Sequence, residues 1–277
     1  MRGTLIRHPN FRSRHIAPRN VDVWLPAVYR EREAMHLPVV YFQDGQNLFS
    51  AETAFIGVDW GLDETMAKLA EAGRPSIAIG IWNTKDRFLE YLPEKPLASP
   101  EASDMKSRIE KEYGGPLLSD AYLRFVTKEL KPFIDATYRT LPDYKDTFLM
   151  GSSMGGLISL YGMCEYPSTF GGAACLSTHW PAVGEPMIQY LASSLPYPAF
   201  QKIYFDYGTE TLDAPYESYQ RRVDDVMRKV GYEEGKDWMT LKFAGADHSE
   251  RSWRERAHIP LAFLLGLLQR TQSRAES

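Results

Sequence analysis

The segment Gly151-Ser-Ser-Met-Gly155 sets a serine, Ser153, midway between two glycines, each two residues away. A serine hydroxyl becomes a useful nucleophile only when a neighbouring base takes its proton, so the chemistry this pattern could support is acyl transfer through a covalent intermediate. The context fits. A strand-like run precedes the segment and a glycine-rich helix start follows it, which is the strand–turn–helix setting of a nucleophile elbow. Small residues two before and two after the serine let neighbouring backbone pass closely. The helix start behind it would favour developing negative charge. Residues 151–156 also have the GxxxxG spacing of a phosphate loop, but Leu157-Ile158 stand where Lys-Ser/Thr is needed, and that reading fails. Ser152 lies off the centre of the motif and reads as structural.

The base is sought among six histidines. His8 and His15 precede the sheet, His36 sits in a charged run, and His258 falls in the terminal helical segment. His248 follows the last strand-like run, in Phe243-Ala-Gly-Ala-Asp-His-Ser249, and the order serine then histidine is that of an α/β-hydrolase. His248 is therefore expected to be the base. His179, beside Trp180, reads either as a pocket wall or as a packed polar residue. The acid is expected after the run at 202–207, where the order reads Asp206-Tyr-Gly-Thr-Glu210-Thr-Leu-Asp213. Glu210 is preferred because it stands nearer the strand end, and Asp213 is the alternative. Two backbone N–H groups would hold an oxyanion, one from Met154 and one from Gln46, in the turn Asp44-Gly-Gln-Asn47. The competing reading of that turn is an ordinary Asp-Gly turn. No HExxH, CxxC or EF-hand pattern is present, so no metal or other cofactor is expected. Cys164 and Cys175 read as small core residues.

These residues need a scaffold that brings strand ends together. Short apolar runs at 21–26, 37–42, 76–82, 146–150, 170–176, 202–207 and 238–243 read as strands. Helical patterns at 62–72, 122–138, 157–166 and 217–230 fall between them, with Pro132 expected to kink the second. Such alternation predicts an α/β fold, a mostly parallel sheet with helices on both faces. The sheet would run through residues 1–277 as a single domain. Residues 92–118 and 181–198 do not fit the alternation and are expected to be loop insertions that shape the pocket.

The chain has 277 residues, a formal charge of −4, 44% hydrophobic and 25% charged residues. This is the balance of a soluble globular protein. It excludes disordered, disulfide-framework and basic nucleic-acid-binding classes. The first ten residues lack the apolar core of a signal peptide, so a cytoplasmic location is expected. The most apolar stretch, 259–268, is shorter than the roughly 20 residues of a membrane span and is expected to be a buried helix.

With those residues placed, the chain resembles the esterase D-like family of α/β-hydrolases, which includes enterochelin esterases and feruloyl and acetylxylan esterases. The resemblance is carried by Val39-Val-Tyr-Phe-Gln-Asp-Gly-Gln-Asn-Leu-Phe49, by Gly80-Ile-Trp-Asn83 with Arg87-Phe-Leu-Glu-Tyr-Leu-Pro93, by Gly151-Ser-Ser-Met-Gly-Gly156, by Tyr207-Gly-Thr-Glu210, and by Gly245-Ala-Asp-His-Ser-Glu-Arg-Ser-Trp253. It implies a serine hydrolase of small-molecule esters. The family's acid is often an aspartate after the Gly-Thr turn, and Glu210 standing there first is a departure. Asn83 and Arg87 follow a strand and could touch substrate with Glu90 and Tyr91, or an Arg–Glu pair could hold that loop. Trp60 and Trp180 either wall the pocket or belong to the core. Two other functions fit the same pattern: an acyltransferase, in which an acceptor alcohol outcompetes water, and a catalytically silent binding protein that keeps the fold.

Overall fold

The structure is a computed structural model and describes residues 3–268. Residues 269–277, at the end of the expected domain, lie outside the described residues. Eight strands form one sheet: β1 (Gly3–Phe11), β2 (Arg19–Pro26), β3 (Val39–Phe42), β4 (Ile77–Ile81), β5 (Thr147–Ser152), β6 (Gly172–Leu176), β7 (Lys202–Gly208) and β8 (Trp238–Phe243). Their spatial order is β1-β2-β4-β3-β5-β6-β7-β8. The pairs β1/β2 and β2/β4 are antiparallel, and every other pair is parallel. This is the mostly parallel α/β sheet expected from the alternation of runs.

The central strands are apolar because both faces are covered. Side chains alternate between two cores: Val39, Tyr41 and Leu149 enter one, and Val40, Phe42, Phe148 and Met150 enter the other. The helix Met154–Glu165, which follows β5, is buried at every residue but its last. The helical run 122–138 is found as Ser119–Phe125 and Lys131–Thr137, joined without a break by a π-turn over Val126–Leu130. The widened turn sits just before Pro132, where the ring would clash with an ordinary helical carbonyl, so the expected kink is taken up there.

Three features differ from expectation. The first residues form a strand that the runs did not include: β1 joins the sheet edge beside β2. β1 is a polar strand, half-covered on one side, with Arg7 bound through two nitrogens to Asp22 of β2 at 2.7 and 2.9 Å. Residues 92–118 contain the helix Ser103–Tyr113, and residues 181–198 contain the helix Glu185–Ser194. Pro96, Pro100, Pro181 and Pro186 of these stretches sit in the first turns of helical segments, where the missing N–H is not needed. The apolar stretch 259–268 holds the helix His258–Leu264, whose Leu261, Phe263 and Leu264 are buried against the sheet. Among the described residues no helix is long and apolar enough to cross a membrane.

Because strands β3 to β8 run parallel, their chain ends emerge along one edge. The segments at 44–47, 83–87, 153, 177–179, 210–213 and 245–250 all leave strands there, and that edge carries the candidate site.

Candidate active site

Ser153 caps the end of β5 with φ +56° and ψ −122°, a conformation a side-chain-bearing residue adopts only under constraint. Its N–H donates to Leu176 O of β6 at 2.8 Å. Its carbonyl accepts from Gly156 and Leu157 of the following helix and from His179. The turn is so tight that a Cβ on Gly151 would lie 2.5 Å from Gly155 O, so the glycine two residues before the serine is required by close approach.

His248 bridges two partners. Its Nε2 lies 2.9 Å from Ser153 Oγ and its Nδ1 lies 2.6 Å from Asp213 Oδ1. A carboxylate only accepts, so Nδ1 carries the proton and Nε2 presents its lone pair to the serine hydroxyl. Asp213 is fully buried and also accepts from Ser177 Oγ and the Gly208 N–H, each at 2.6 Å. Burial pushes its pKa up, but the hydrogen bonds from His248, Ser177 and Gly208 outweigh this and hold it below the ordinary carboxylate value.

The preferred acid, Glu210, is not at this position. It is exposed, and its carboxylate accepts from the neighbouring Thr209 hydroxyl at 3.1 Å. The cause is a reversal of the chain. Thr211 takes φ +54°, and the turn Thr211–Asp213 closes with the Asp213 N–H on Glu210 O at 3.1 Å. That turn folds the third residue back under the strand end and leaves the first one outside.

The two loops are stitched together. Ala246 O accepts from the N–H groups of both Thr209 and Glu210 at 3.0 Å, and the His248 N–H donates to Thr211 Oγ1 at 2.9 Å. A Cβ on Gly208 would sit 2.1 Å from Ala246 O. Gly208→Ala is therefore expected to push the 245–248 turn off β7 and carry His248 with it. We predict a loss in kcat/KM of about 10²-fold or more, since a 1 Å displacement of a reacting group has that order of effect. Steady-state kinetics, with thermal unfolding alongside, checks it.

Behind Asp213 lies a buried polar chain that sequence patterns did not reveal. Ser177 Oγ accepts from Trp253 Nε1 at 3.0 Å and from Arg256 Nη2 at 2.8 Å, and Arg256 also reaches Asp206 Oδ1 at 3.0 Å. Burial raises the pKa of Asp206, and Arg256 opposes the rise. Asp206 lies inside β7, as expected, and it acts on Ser177 and not on His248.

The N–H groups of Met154 and Gln46 have no acceptor among the described residues. Each sits at the start of a helical turn, where N–H groups lack an intrahelical partner. The turn at 44–47 is more than an Asp-Gly turn. Asp44 adopts φ +55°, its carboxylate accepts from Arg87 Nε and Nη2, both at 2.7 Å, and it accepts from Asn83 Nδ2 at 2.6 Å. Gln46 is held from both sides: its side-chain oxygen accepts from Asn83 N at 3.2 Å, and its carbonyl accepts from Thr53 Oγ1 at 2.7 Å. Burial pushes the Arg87 pKa down, but the Asp44 carboxylate more than reverses this. Arg87 thus pairs with Asp44. Glu90 pairs instead with Arg19, in a fully buried ion pair at 2.6 Å.

A cavity of about 500 Å³ opens over Ser153 and His248. Asn83 and Arg87 line it, together with Glu250 and Trp253. Its mouth carries Phe55, Ile56 and Leu212, all exposed. Neither 92–118 nor 181–198 supplies a residue to this lining. His179 and Trp180 do not line it either. Trp180 is buried against Phe205, with its Nε1 on Gln220, and Trp60 is buried against Trp253. His179 Nδ1 is hydrogen-bonded to the Tyr216 hydroxyl.

Burial, with the charge on His248 adding to it, pushes the His179 pKa down to about 4. In the unfolded chain this histidine takes a proton near pH 6.5, whereas in the folded protein it stays neutral to about pH 4. Folding stability therefore falls as pH drops through that window, by on the order of 2–3 kcal/mol from this group. Urea midpoints at pH 7 and pH 5 for the wild type and His179→Gln check it, and the variant should show the shallower decline.

The sequence profile of the "Putative esterase" family matches residues 16–260. The protein YbbA of Bacillus subtilis (strain 168) is 26% identical over 181 residues, covering 65% of this chain and 62% of its own length. The match thus spans less than two thirds of that relative. A ferulic acid esterase structure superposes with a TM-score of 0.69 at 15% identity, over 96% of this chain and 99% of that one. The enterobactin esterase FES from Shigella flexneri, in the presence of enterobactin, superposes with a TM-score of 0.65 at 15% identity, over 98% of this chain and 60% of that one. At such identities the structural likeness speaks for the fold. With a family profile that runs from Ile16 to Pro260, the chain belongs to the "Putative esterase" family and has the α/β-hydrolase fold.

Proposed function

We propose that the protein is a serine carboxylic ester hydrolase that works through an acyl-enzyme. The observation that carries this reading is the single histidine, His248, hydrogen-bonded to Ser153 Oγ on one side and to Asp213 on the other. In the reaction, Ser153 Oγ forms a bond to the ester carbonyl carbon as its proton passes to His248 Nε2. The carbonyl oxygen becomes an oxyanion and takes hydrogen bonds from the N–H groups of Met154 and Gln46. The carbon–oxygen bond to the alcohol then breaks, and His248 returns its proton to the departing alkoxide. A water molecule, deprotonated by the same nitrogen, attacks the acyl-serine carbon, the carbon–Oγ bond to Ser153 breaks, and His248 returns the proton to Ser153 Oγ as the acid leaves. Asp213 keeps its negative charge and steadies the imidazolium.

The substrate is a small-molecule ester that enters the 500 Å³ cavity with the scissile bond over Ser153. Incubation with a fluorophosphonate probe, followed by peptide mass spectrometry, tests the reading. The adduct is expected on the peptide containing Ser153, and no adduct on any serine would overturn it.

A further inference from the structure

Glu250 stands two residues after His248 and lines the same cavity. Only 7% of it is exposed, yet among the described residues the one side-chain donor to its carboxylate is Asn47 Nδ2, at a long 3.4 Å. A carboxylate taken out of water needs several donors, and the long bond from Asn47 with its own backbone N–H still leaves it short. The other charged groups of the cavity do not supply them. Asp44 is itself a carboxylate, and Arg87 directs Nε and Nη2 to Asp44. His248 commits both ring nitrogens to Ser153 and Asp213. Glu250 lines the cavity, so a donor on the substrate can reach its carboxylate.

We propose that Glu250, with Asn47 beside it, forms a subsite that accepts a hydrogen bond from a hydroxyl on the alcohol portion of the substrate. This rests on the ester-hydrolase reading above. A neutral hydroxyl is favoured over an ammonium because Arg87 already offsets the Asp44 carboxylate, and the imidazolium formed on His248 during turnover would repel a cation held beside it. The alcohol portion is favoured over the acyl portion because Glu250 is carried by the turn that carries His248, and His248 protonates the departing alcohol. The exposed Phe55, Ile56 and Leu212 at the mouth leave an apolar surface for the rest of the ester. The substrate class is thus a monoester of a diol or polyol.

Matched esters test this in the full-length protein. 2-Hydroxyethyl butyrate and propyl butyrate differ only by a hydroxyl in place of a methyl. The wild type is expected to favour the hydroxylated ester by roughly 10- to 100-fold in kcat/KM, the range for a hydrogen bond to a buried charged acceptor. Glu250→Leu should bring the ratio close to one. Glu250→Gln, whose carbonyl still accepts, should fall between and guards against a folding defect in the leucine variant. Binding of the two esters to Ser153→Ala protein by calorimetry, with and without Glu250→Leu, should show the same preference without turnover.

A wild-type ratio near one, or a ratio unchanged by Glu250→Leu, overturns the subsite. So does a stronger preference for propyl 3-hydroxybutyrate or for 2-(dimethylamino)ethyl butyrate, which place the hydroxyl on the acyl side or replace it with a cation. Turnover that survives Ser153→Ala overturns the serine mechanism instead, and the calorimetric preference separates the two failures.

Discussion

Replacing Ser153 by alanine is expected to lower kcat on p-nitrophenyl acetate by roughly 10⁶-fold, the scale seen when the nucleophile of a serine hydrolase is removed. The change deletes one oxygen and the bond it makes to His248 Nε2 at 2.9 Å. It leaves the turn intact, because the backbone bonds from Ser153 N to Leu176 O and from Leu157 N to Ser153 O do not involve the side chain. Thermal unfolding should therefore stay within a few degrees of the wild type, and circular dichroism should be superimposable. Ser152→Ala is the control, since Ser152 is the neighbouring hydroxyl. Loss of activity only in the Ser152 variant would move the nucleophile by one residue and overturn the mechanism.

Asp213→Asn is expected to lower kcat by about 10⁴-fold, as loss of the acid does in the serine-protease precedent. The carboxylate accepts from His248, Ser177 and Gly208 and gives nothing back. An asparagine must place an NH₂ among those three donors. It either meets the Gly208 or Ser177 donor head-on or turns toward His248 and forces the ring into the other tautomer, with the proton on Nε2 facing the serine. The second outcome disables proton transfer from Ser153, and the two donors on Oδ2 drive the amide toward it. Glu210→Gln, by contrast, changes an exposed side chain bonded to Thr209 and should leave kcat/KM within about threefold. Steady-state kinetics of the two variants side by side decides between the two acids. A large loss in the glutamine variant and none in the asparagine variant would restore the order of preference that position along the chain suggests.

The contrast between Ser153 and Asp213 shows what was legible in the residues. Ser153 lies in a motif whose geometry is local: strand, tight turn and helix are consecutive, so residue types within five positions determine it. His248 was legible because topology alone delivers a loop after the last strand to the correct edge. The place of Asp213 against His248 depends on a reversal at Thr211 that no glycine announces, so distance from the strand end was a poor guide to which carboxylate meets the histidine. The same holds for β1, whose polar residues and Pro9 conceal a strand because it covers an edge and does not enter a core. Asp44 and Glu250 stood inside legible motifs, but their work depends on Arg87, Asn83 and Asn47 from other segments, and pairings of that kind leave no periodic trace. The helix at 185–194 was obscured by Pro186, since a proline starts a helix as readily as it ends one.

The hydroxyl of Ser177 has one hydrogen and two lone pairs. Trp253 and Arg256 occupy both lone pairs, so the hydrogen has a single direction left, toward Asp213. The oxygen is saturated, its orientation is fixed in one sense, and no water can join it without evicting a partner. Three stretches of chain far apart in sequence, following β6, β7 and β8, meet at this atom. A substitution there cannot be repaired by a neighbour along the chain. The acid loop and the terminal helices must therefore diverge together or not at all, which ties the permissible variation of residues 208–213 to that of residues 253–256 through one side chain that never touches substrate.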